Sequence, residues 1–290
     1  MKRIAASILC IALACCLGAC GKQETTPTKP IQRPVPIPTT VASEPILAEQ
    51  VIYDEEGIRI TVKGIEENTA NGAAIPVLVE NRTDRNIVFS GDLFVVNGVT
   101  IPGYLYAEAA AGTKTNDAIE FFTDVLDSAS ISHIGTVRSY DARIVDTDTY
   151  ETMALVPTEL MIARGGTGED LPEDSGVLLY EQAGITVMAQ MISDAFYGKT
   201  ARLLVKNETG RDVIVEAEHI SVNGYTVDAW LYDTVVKDTV RYCQLDLFET
   251  GLAENGIDQV ETISFRMNIL DATSFETITQ SEVLTVEVKG

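Results

Sequence analysis

Cys20 is the residue whose type and setting most clearly predict a chemical reaction in this sequence. Leu17, Gly18 and Ala19 precede it, and they end an apolar run that begins at residue 4, directly after two basic residues. The run is about 14 residues long, which suits the apolar region of a secretory signal and is too short to cross a membrane. Small residues directly before the cysteine suit a signal-peptidase cleavage site.

The tetrapeptide at residues 17–20 resembles a bacterial lipobox, in which an apolar residue and two small residues precede the modified cysteine. The resemblance implies that residues 1–19 are a signal peptide that is removed and that Cys20 becomes a diacylated N-terminus. Two acyl chains anchor a protein stably, whereas one chain is marginal. Cys10, Cys15 and Cys16 lack this context. We therefore expect a lipid anchor on the outer face of a Gram-positive cytoplasmic membrane; the alternative is an ordinary signal peptide that is cleaved nearby.

Other candidate chemistries lack the residues that they require. His133 and His219 have no His, Cys or acidic partner at metal-ligand spacing. Asp146-Thr147-Asp148 could touch Ca²⁺, but the loop that completes a calcium site does not follow, so we interpret it as a turn. Cys243 shares the apolar alternation of its segment and is interpreted as a buried small hydrophobe. The sequence predicts no catalytic residue, no metal site, no cofactor and no enzymatic activity.

Aromatic rings are the candidate binding residues that the sequence offers. Apolar and polar positions alternate around Leu231, and Trp230 and Tyr232 fall on the polar side. Tyr104 and Tyr106 occupy the equivalent places 126 residues earlier. Exposed aromatic residues commonly anchor sugars or proteins, so we predict that these four rings form the binding surface. The alternative is that they pack beneath a loop or in an interface between domains.

The charge balance restricts the class of partner. The chain has 21 Lys and Arg against 43 Asp and Glu, a formal net charge of −22. Removing residues 1–19 takes away two basic and no acidic residues, which gives 19 − 43 = −24. Nucleic-acid binding needs a basic surface and is excluded. Anionic lipid headgroups would repel such a chain, so the acyl chains must attach it to the membrane. The other expected partner is an envelope protein, a wall polymer or a host molecule.

Beyond the signal, the chain consists of a stalk and a duplicated segment. Residues 20–48 are rich in proline, which favours extended polyproline II structure and indicates a semi-stiff linker. The remainder repeats with an offset of 125–127 residues, as in Val96-Asn97-Gly98 and Val222-Asn223-Gly224 or in Asn81 and Asn207. An offset of this size indicates duplicated domains. We place them at residues 49–164 and 177–290, with a flexible linker at 165–176.

The periodicity within each copy predicts strands. Ile58, Ile60 and Val62 alternate with polar residues, and similar runs recur between Asn-Gly and Asn-x-Thr turns. Seven or eight short strands per copy are typical of an immunoglobulin-like sandwich, although the Cys–Trp–Cys signature of true immunoglobulin domains is missing. The predicted fold is all-β: two tandem antiparallel Ig-like β-sandwiches after a signal peptide and a Pro-rich stalk. Helical periodicity is confined to a possible short turn at residues 252–257.

The frame shared by the copies is G-I-x-I, V-x-N-x-T-x-R, V-N-G, L-Y and a late aromatic-E-T. It resembles that of uncharacterised cell-surface lipoproteins of clostridia and other Firmicutes, which carry Ig-like domains behind a lipobox and a stalk. The resemblance covers residues 50–290 and implies a fold and a location, because its motifs are turn and core residues. We expect a membrane-anchored extracytoplasmic protein that acts by non-catalytic binding or adhesion. An envelope enzyme or accessory subunit is the first alternative, and a solute-binding lipoprotein of a transporter is the second.

Overall fold

Alternating apolar residues form strands over most of the chain, and the period of two identifies the buried positions. Ile58, Ile60 and Val62 are buried, while Arg59 between them is only half-buried. The computed structural model describes residues 49–161 and 176–288. Strands make up 63% of these residues, so the predicted all-β class is confirmed. The predicted signal peptide, Cys20, the stalk and nearly all of the linker lie outside the described residues.

The first half, residues 49–161, contains two layers of strands around one core. One layer has the order β1-β2-β4-β7, and in the other β5 pairs with β6, β8 and β9. Its elements are β1 Gln50–Glu55, β2 Ile58–Val62, β3 Glu66–Thr69, β4 Gly72–Asn81, β5 Ile87–Val96, β6 Val99–Ala109, β7 Lys114–Phe122, α1 Thr123–Ser128, β8 Thr136–Ser139, β9 Arg143–Asp146, β10 Thr152–Leu155 and β11 Glu159–Met161.

The second half, residues 176–288, repeats this arrangement. One layer contains β12-β13-β14-β19 with β17 at its margin, and the other is built around β15 and β20. Its elements are β12 Val177–Gln182, β13 Ile185–Ala195, β14 Gly198–Asn207, β15 Val213–Val222, β16 Tyr225–Thr226, β17 Ala229–Trp230, β18 Tyr232–Val235, β19 Thr239–Phe248, α2 Glu249–Glu254, β20 Thr262–Asp271, β21 Thr277–Gln280 and β22 Leu284–Glu287.

Each half has more strands than the sequence predicts, because several short segments pair separately with neighbouring strands. β16, β17 and β18, for example, pair in turn with β15, β19 and β15. α2 overlaps the short helical turn predicted at residues 252–257 but begins three residues earlier, and α1 occupies the equivalent place in the first half. Among the described residues, no helix has the length and apolar character needed to cross a membrane. The Ig-like type of each half stays a prediction.

The duplicated residues form the same turns in both halves. Asn81 Oδ1 accepts the backbone N–H of Thr83 at 3.0 Å and its hydroxyl at 2.7 Å. Asn207 Oδ1 accepts the same two groups of Thr209, at 3.0 and 2.8 Å. Each amide also donates at 2.9 Å to a backbone carbonyl 28 residues further on. The two Asn-x-Thr segments are therefore structural turns, as expected from the ability of Asn to bond the backbone.

The two halves are in direct contact and form one compact unit with two hydrophobic cores. Val99 of β6 pairs in parallel with Val240 of β19. Beside this pair, the buried hydroxyls of Thr100 and Thr239 lie 2.7 Å apart, and the N–H of Val236 donates to Thr100 Oγ1 at 3.2 Å. Through this contact, the β12-β13-β14-β19 layer packs against the first half with the side that faces away from its own core.

Candidate functional site

A cleft of about 500 Å³ lies where the two halves meet. The second half supplies its floor from β19 and one wall from β17 and β18, and the first half supplies the opposite wall from α1 and the start of β6. The residues that line it are Thr100, Ile101, Pro102, Asp124, Val125, Ser128, Ala129, Trp230, Tyr232, Asp233, Arg241, Tyr242, Gln244 and Asp246. We call this the inter-half cleft.

Trp230 and Tyr232 are the aromatic wall of the inter-half cleft. Trp230 is 59% exposed and Tyr232 41% exposed, while Leu231 between them is buried. Trp230 pairs with Asp246, and the chain then moves to the other sheet, where Tyr232 pairs with Glu216. The ring centroids lie 5.9 Å apart with a 34° interplanar angle. The exposure expected from the alternation is therefore present, whereas the binding role of the two rings stays a prediction.

The polar groups of the cleft give it a negative balance. Arg241 pairs with Asp233 at 2.5 Å, with both side chains largely shielded, and it donates to the Thr234 carbonyl at 2.8 Å. Asp124 and Asp246 add two carboxylates, so three acidic side chains and one basic side chain line the cleft, and the Arg202 guanidinium beside the Tyr242 ring is a second positive charge close to it. Anionic ligands would be repelled, whereas neutral or cationic groups would be accepted.

The wall from the first half is held in place by Arg202 of β14. Its guanidinium lies 3.7 Å from the centroid of the Tyr242 ring, in cation–π geometry. The same guanidinium donates to the carbonyl of Ser128, the last residue of α1. Arg202 therefore ties the floor of the cleft to its opposite wall, which favours a preformed cleft.

Tyr104 and Tyr106 do not join the cleft. They are 51% and 48% exposed on β6. Tyr104 pairs with Glu120, which repeats the pairing of Trp230 with Asp246. The structure therefore places the four predicted rings on two separate surfaces, and only the pair in the second half lines a cleft formed with the other half.

The groups that could do covalent or metal chemistry lie elsewhere. Cys243 is completely buried, and this burial raises the pKa of its thiol well above the ordinary value, so the reactive thiolate is disfavoured. His133 Nδ1 lies 3.0 Å from Glu67 Oε1 in a different part of the first half. Over residues 49–161 and 176–288, no three His, Cys, Asp or Glu side chains come close enough to hold a metal ion.

Asp146 is part of a turn, as the sequence analysis proposed. Its carboxylate accepts the backbone N–H groups of Thr149 at 3.1 Å and Asp148 at 2.9 Å, and Arg85 lies 3.4 Å away. These backbone donors, Thr149 first, hold the pKa of Asp146 below its ordinary value. Asp271 accepts two backbone N–H groups in the equivalent turn, so the carboxylate serves the repeated turn in both halves.

One exposed aromatic pair is not among the residues predicted from the sequence. Phe196 and Tyr197, at the tip of the hairpin between β13 and β14, are 91% and 66% exposed and stack edge to face at 4.9 Å. The equivalent tip in the first half is Ala70-Asn71, so the rings belong to the second copy alone. A comparison of the two copies at this turn would have found them. We call this pair the aromatic tip.

Comparisons with known proteins do not assign a family. No protein-family model matches the chain, and no curated protein matches it. A solved structure known as the conserved domain protein from Bacillus anthracis is similar over 85% of this chain and 92% of its own length, with 10% sequence identity and a TM-score of 0.30. At that TM-score the likeness carries no argument about function.

Proposed function

We propose that this chain is a lipid-anchored extracytoplasmic protein that acts by binding a component of the cell envelope or its surroundings in the inter-half cleft. The binding role is supported by the exposed rings of Trp230 and Tyr232, which form one wall of that cleft beside Asp246 on its floor. Large aromatic rings left in solvent beside hydrogen-bonding groups are characteristic of binding sites. The lipid anchor rests on the Leu-Gly-Ala-Cys sequence at residues 17–20.

The anchor is tested by metabolic labelling with palmitate. The natural chain should take up label and sediment with membranes, and Cys20→Ala should do neither. Cys16→Ala is the matched control, because it removes a cysteine from the segment that we expect to be cleaved off, and its labelling should be unchanged. Equal labelling of the natural chain and the Cys20→Ala variant would refute the anchor.

The binding role is tested with the fluorescence of Trp230, which is the single tryptophan of the chain. Solubilised wall and envelope fractions should shift its emission and protect it from acrylamide quenching. Trp230→Ala should weaken attachment by roughly thirtyfold, since removing a well-placed aromatic anchor costs about 2 kcal/mol. Tyr104→Ala removes the equivalent ring outside the cleft and should have a much smaller effect. If neither variant changes attachment to any fraction, the cleft is not the binding site.

Hydrolysis in the same cleft is the second candidate function. Asp124 lies on the wall from the first half and Asp246 on the floor from the second half, so two carboxylates, the groups that glycoside hydrolysis uses, line one cleft. Release of soluble products from a bound polymer, lost in Asp246→Asn with binding retained, would favour the enzyme.

A further inference from the structure

We propose that the ligand is an extended chain of neutral or amino-sugar hexopyranose units, which runs from the inter-half cleft along the second half to the aromatic tip. This inference rests on the proposed binding function and adds the ligand class and the full extent of its site. Three observations support this proposal: the surface between the cleft and the tip, the spacing of residues along the strand, and the charge of the cleft lining.

One continuous face of the sheet joins the cleft to the hairpin that carries the aromatic tip. Trp230 pairs with Asp246, Asp246 with Thr200, and Thr200 with Ser193. Directly paired residues in antiparallel strands point to the same side of a sheet. Because Leu245 on the same strand as Asp246 is buried in the core, this row of four faces away from the core. We call this side the outer face.

The outer face is long enough for a chain ligand. On β19 it extends from Tyr242, on the cleft floor, to Phe248, which pairs with Gly198 directly after the aromatic tip. The six residue-to-residue steps from Tyr242 to Phe248 cover about 20 Å at ~3.4 Å per residue. A ligand the size of one sugar ring would touch Trp230 or the tip, whereas a chain of several rings would touch both.

The aromatic tip is held in a fixed position. The N–H of Glu249, the first residue of α2, donates to the Tyr197 carbonyl at 2.8 Å. Gly198 has a φ of 144°, and a Cβ there would meet the Leu247 carbonyl oxygen at 2.3 Å, so glycine is required at this close approach. The backbone that carries the two exposed rings is thus fixed before binding, which reduces the freedom lost on binding and favours affinity.

Sugar chains match the outer face better than peptides do. An extended peptide binds to a sheet by adding a strand to a free edge, but β19 pairs with β14 over its whole length and, on its other side, with β17 at Asp246 and Leu247, the positions beside Trp230. Recognition there must use side chains. Aromatic rings stack on the C–H faces of pyranose rings, and the exposed side chain of Gln244 and the carboxylate of Asp246, which line the cleft beside Trp230, can bond hydroxyl groups. The acidic lining of the cleft disfavours anionic polymers and accepts neutral or amino sugars.

The test uses β-1,4-linked oligomers of glucose, N-acetylglucosamine and glucosamine, from dimer to hexamer, with a glycerol-phosphate polymer and oligolysine as non-sugar probes. Binding is measured on the full protein by Trp230 fluorescence and by calorimetry. At least one sugar series should bind, and its affinity should increase with length. The glucose and N-acetylglucosamine arms test neutral sugars, and the glucosamine arm tests amino sugars.

Variants separate the two ends of the site. Trp230→Ala should weaken dimer and hexamer binding alike, by about tenfold or more in calorimetry. Phe196→Ala should weaken the hexamer by about tenfold and leave the dimer unchanged. Phe275→Ala removes a comparably exposed ring from the turn between β20 and β21 and should change neither. Circular dichroism and melting temperature confirm that each variant is folded.

Three outcomes would overturn the proposal, and they are distinguishable from failure of the binding function. If oligolysine binds in a Trp230-dependent way and no sugar does, the cleft is a binding site but the ligand class is wrong. If sugars bind with no dependence on length or on Phe196, the extension to the tip is wrong. If sugar binding survives Trp230→Ala unchanged, the cleft itself is not the site.

Discussion

The contact between the halves is tested most sharply at Thr100, because its hydroxyl has two partners across that contact. It lies 2.7 Å from Thr239 Oγ1 and accepts the N–H of Val236 at 3.2 Å. All three residues are buried. Thr100→Val keeps the shape of the side chain and removes both hydrogen bonds, while Thr239 keeps its bond of 2.7 Å to the Val236 carbonyl.

The expected cost follows from the group that is left without a partner. A hydrogen bond contributes about 1 kcal/mol net, and a buried N–H without an acceptor costs about 1–3 kcal/mol. The added methyl group offsets part of this by apolar burial. We expect Thr100→Val to lower the free energy of unfolding by about 2 kcal/mol. In a chain of this length that corresponds to a melting temperature lower by about 4–8 °C.

The repeat supplies the matched control. Thr226 occupies the position of Thr100 in the second half, after the same Val-Asn-Gly segment, and it is exposed. Thr226→Val should therefore change stability by less than about 0.5 kcal/mol. Urea unfolding followed by far-ultraviolet circular dichroism gives both values. If the two variants are equally stable, the contact between the halves contributes nothing, and the inter-half cleft loses its structural basis.

Three further predictions concern single side chains. Asn207→Ala should cost about 2–3 kcal/mol in urea unfolding, because its buried amide bonds several backbone groups, whereas Asn116→Ala at an exposed strand position should cost less than about 0.5 kcal/mol. Burial and the neighbouring Asp141 raise the pKa of Asp92, so ionisation of this carboxyl group destabilises the fold above the raised pKa. Asp92→Asn should therefore increase the free energy of unfolding at pH 7, and this increase should disappear below about pH 4, where the carboxyl group is protonated in both states. Cys243 should resist iodoacetamide until urea unfolds the chain, and peptide mass spectrometry showing alkylation in the native protein would contradict its burial.

The turns could be predicted from the sequence because their interactions are local. Asn81 bonds Thr83 and the Arg85 carbonyl, all within five residues, so residue type and spacing alone define the geometry. The same holds for the side on which Trp230 lies, since a buried Leu231 forces its neighbours outward. The all-β class follows from the same period of two, repeated along each copy.

The cleft could not be predicted, because it depends on contacts between residues more than a hundred positions apart. Only the packing of the halves brings α1 and Trp230 to opposite walls. A comparison of the two copies does, however, indicate that the halves pack together. Met188, Leu204 and Tyr242 lie on outward positions of the second half and pack against the core of the first half. Apolar residues at positions that alternation assigns to solvent indicate an interface.

The same comparison identifies a feature that disfavours extension of this contact to further molecules. The two halves meet through different surfaces, and such a head-to-tail contact between similar units can in principle continue into a filament. The first half carries Thr61, Leu78, Asn116 and Lys114 where the second half uses Met188, Leu204, Tyr242 and Val240 to dock. Three of these four positions are polar in the first half, so its corresponding face has little apolar surface to bury against another copy. The outward face of the second half therefore packs against the first half of the same chain. Trp230 lies on the part of that face that this contact leaves uncovered.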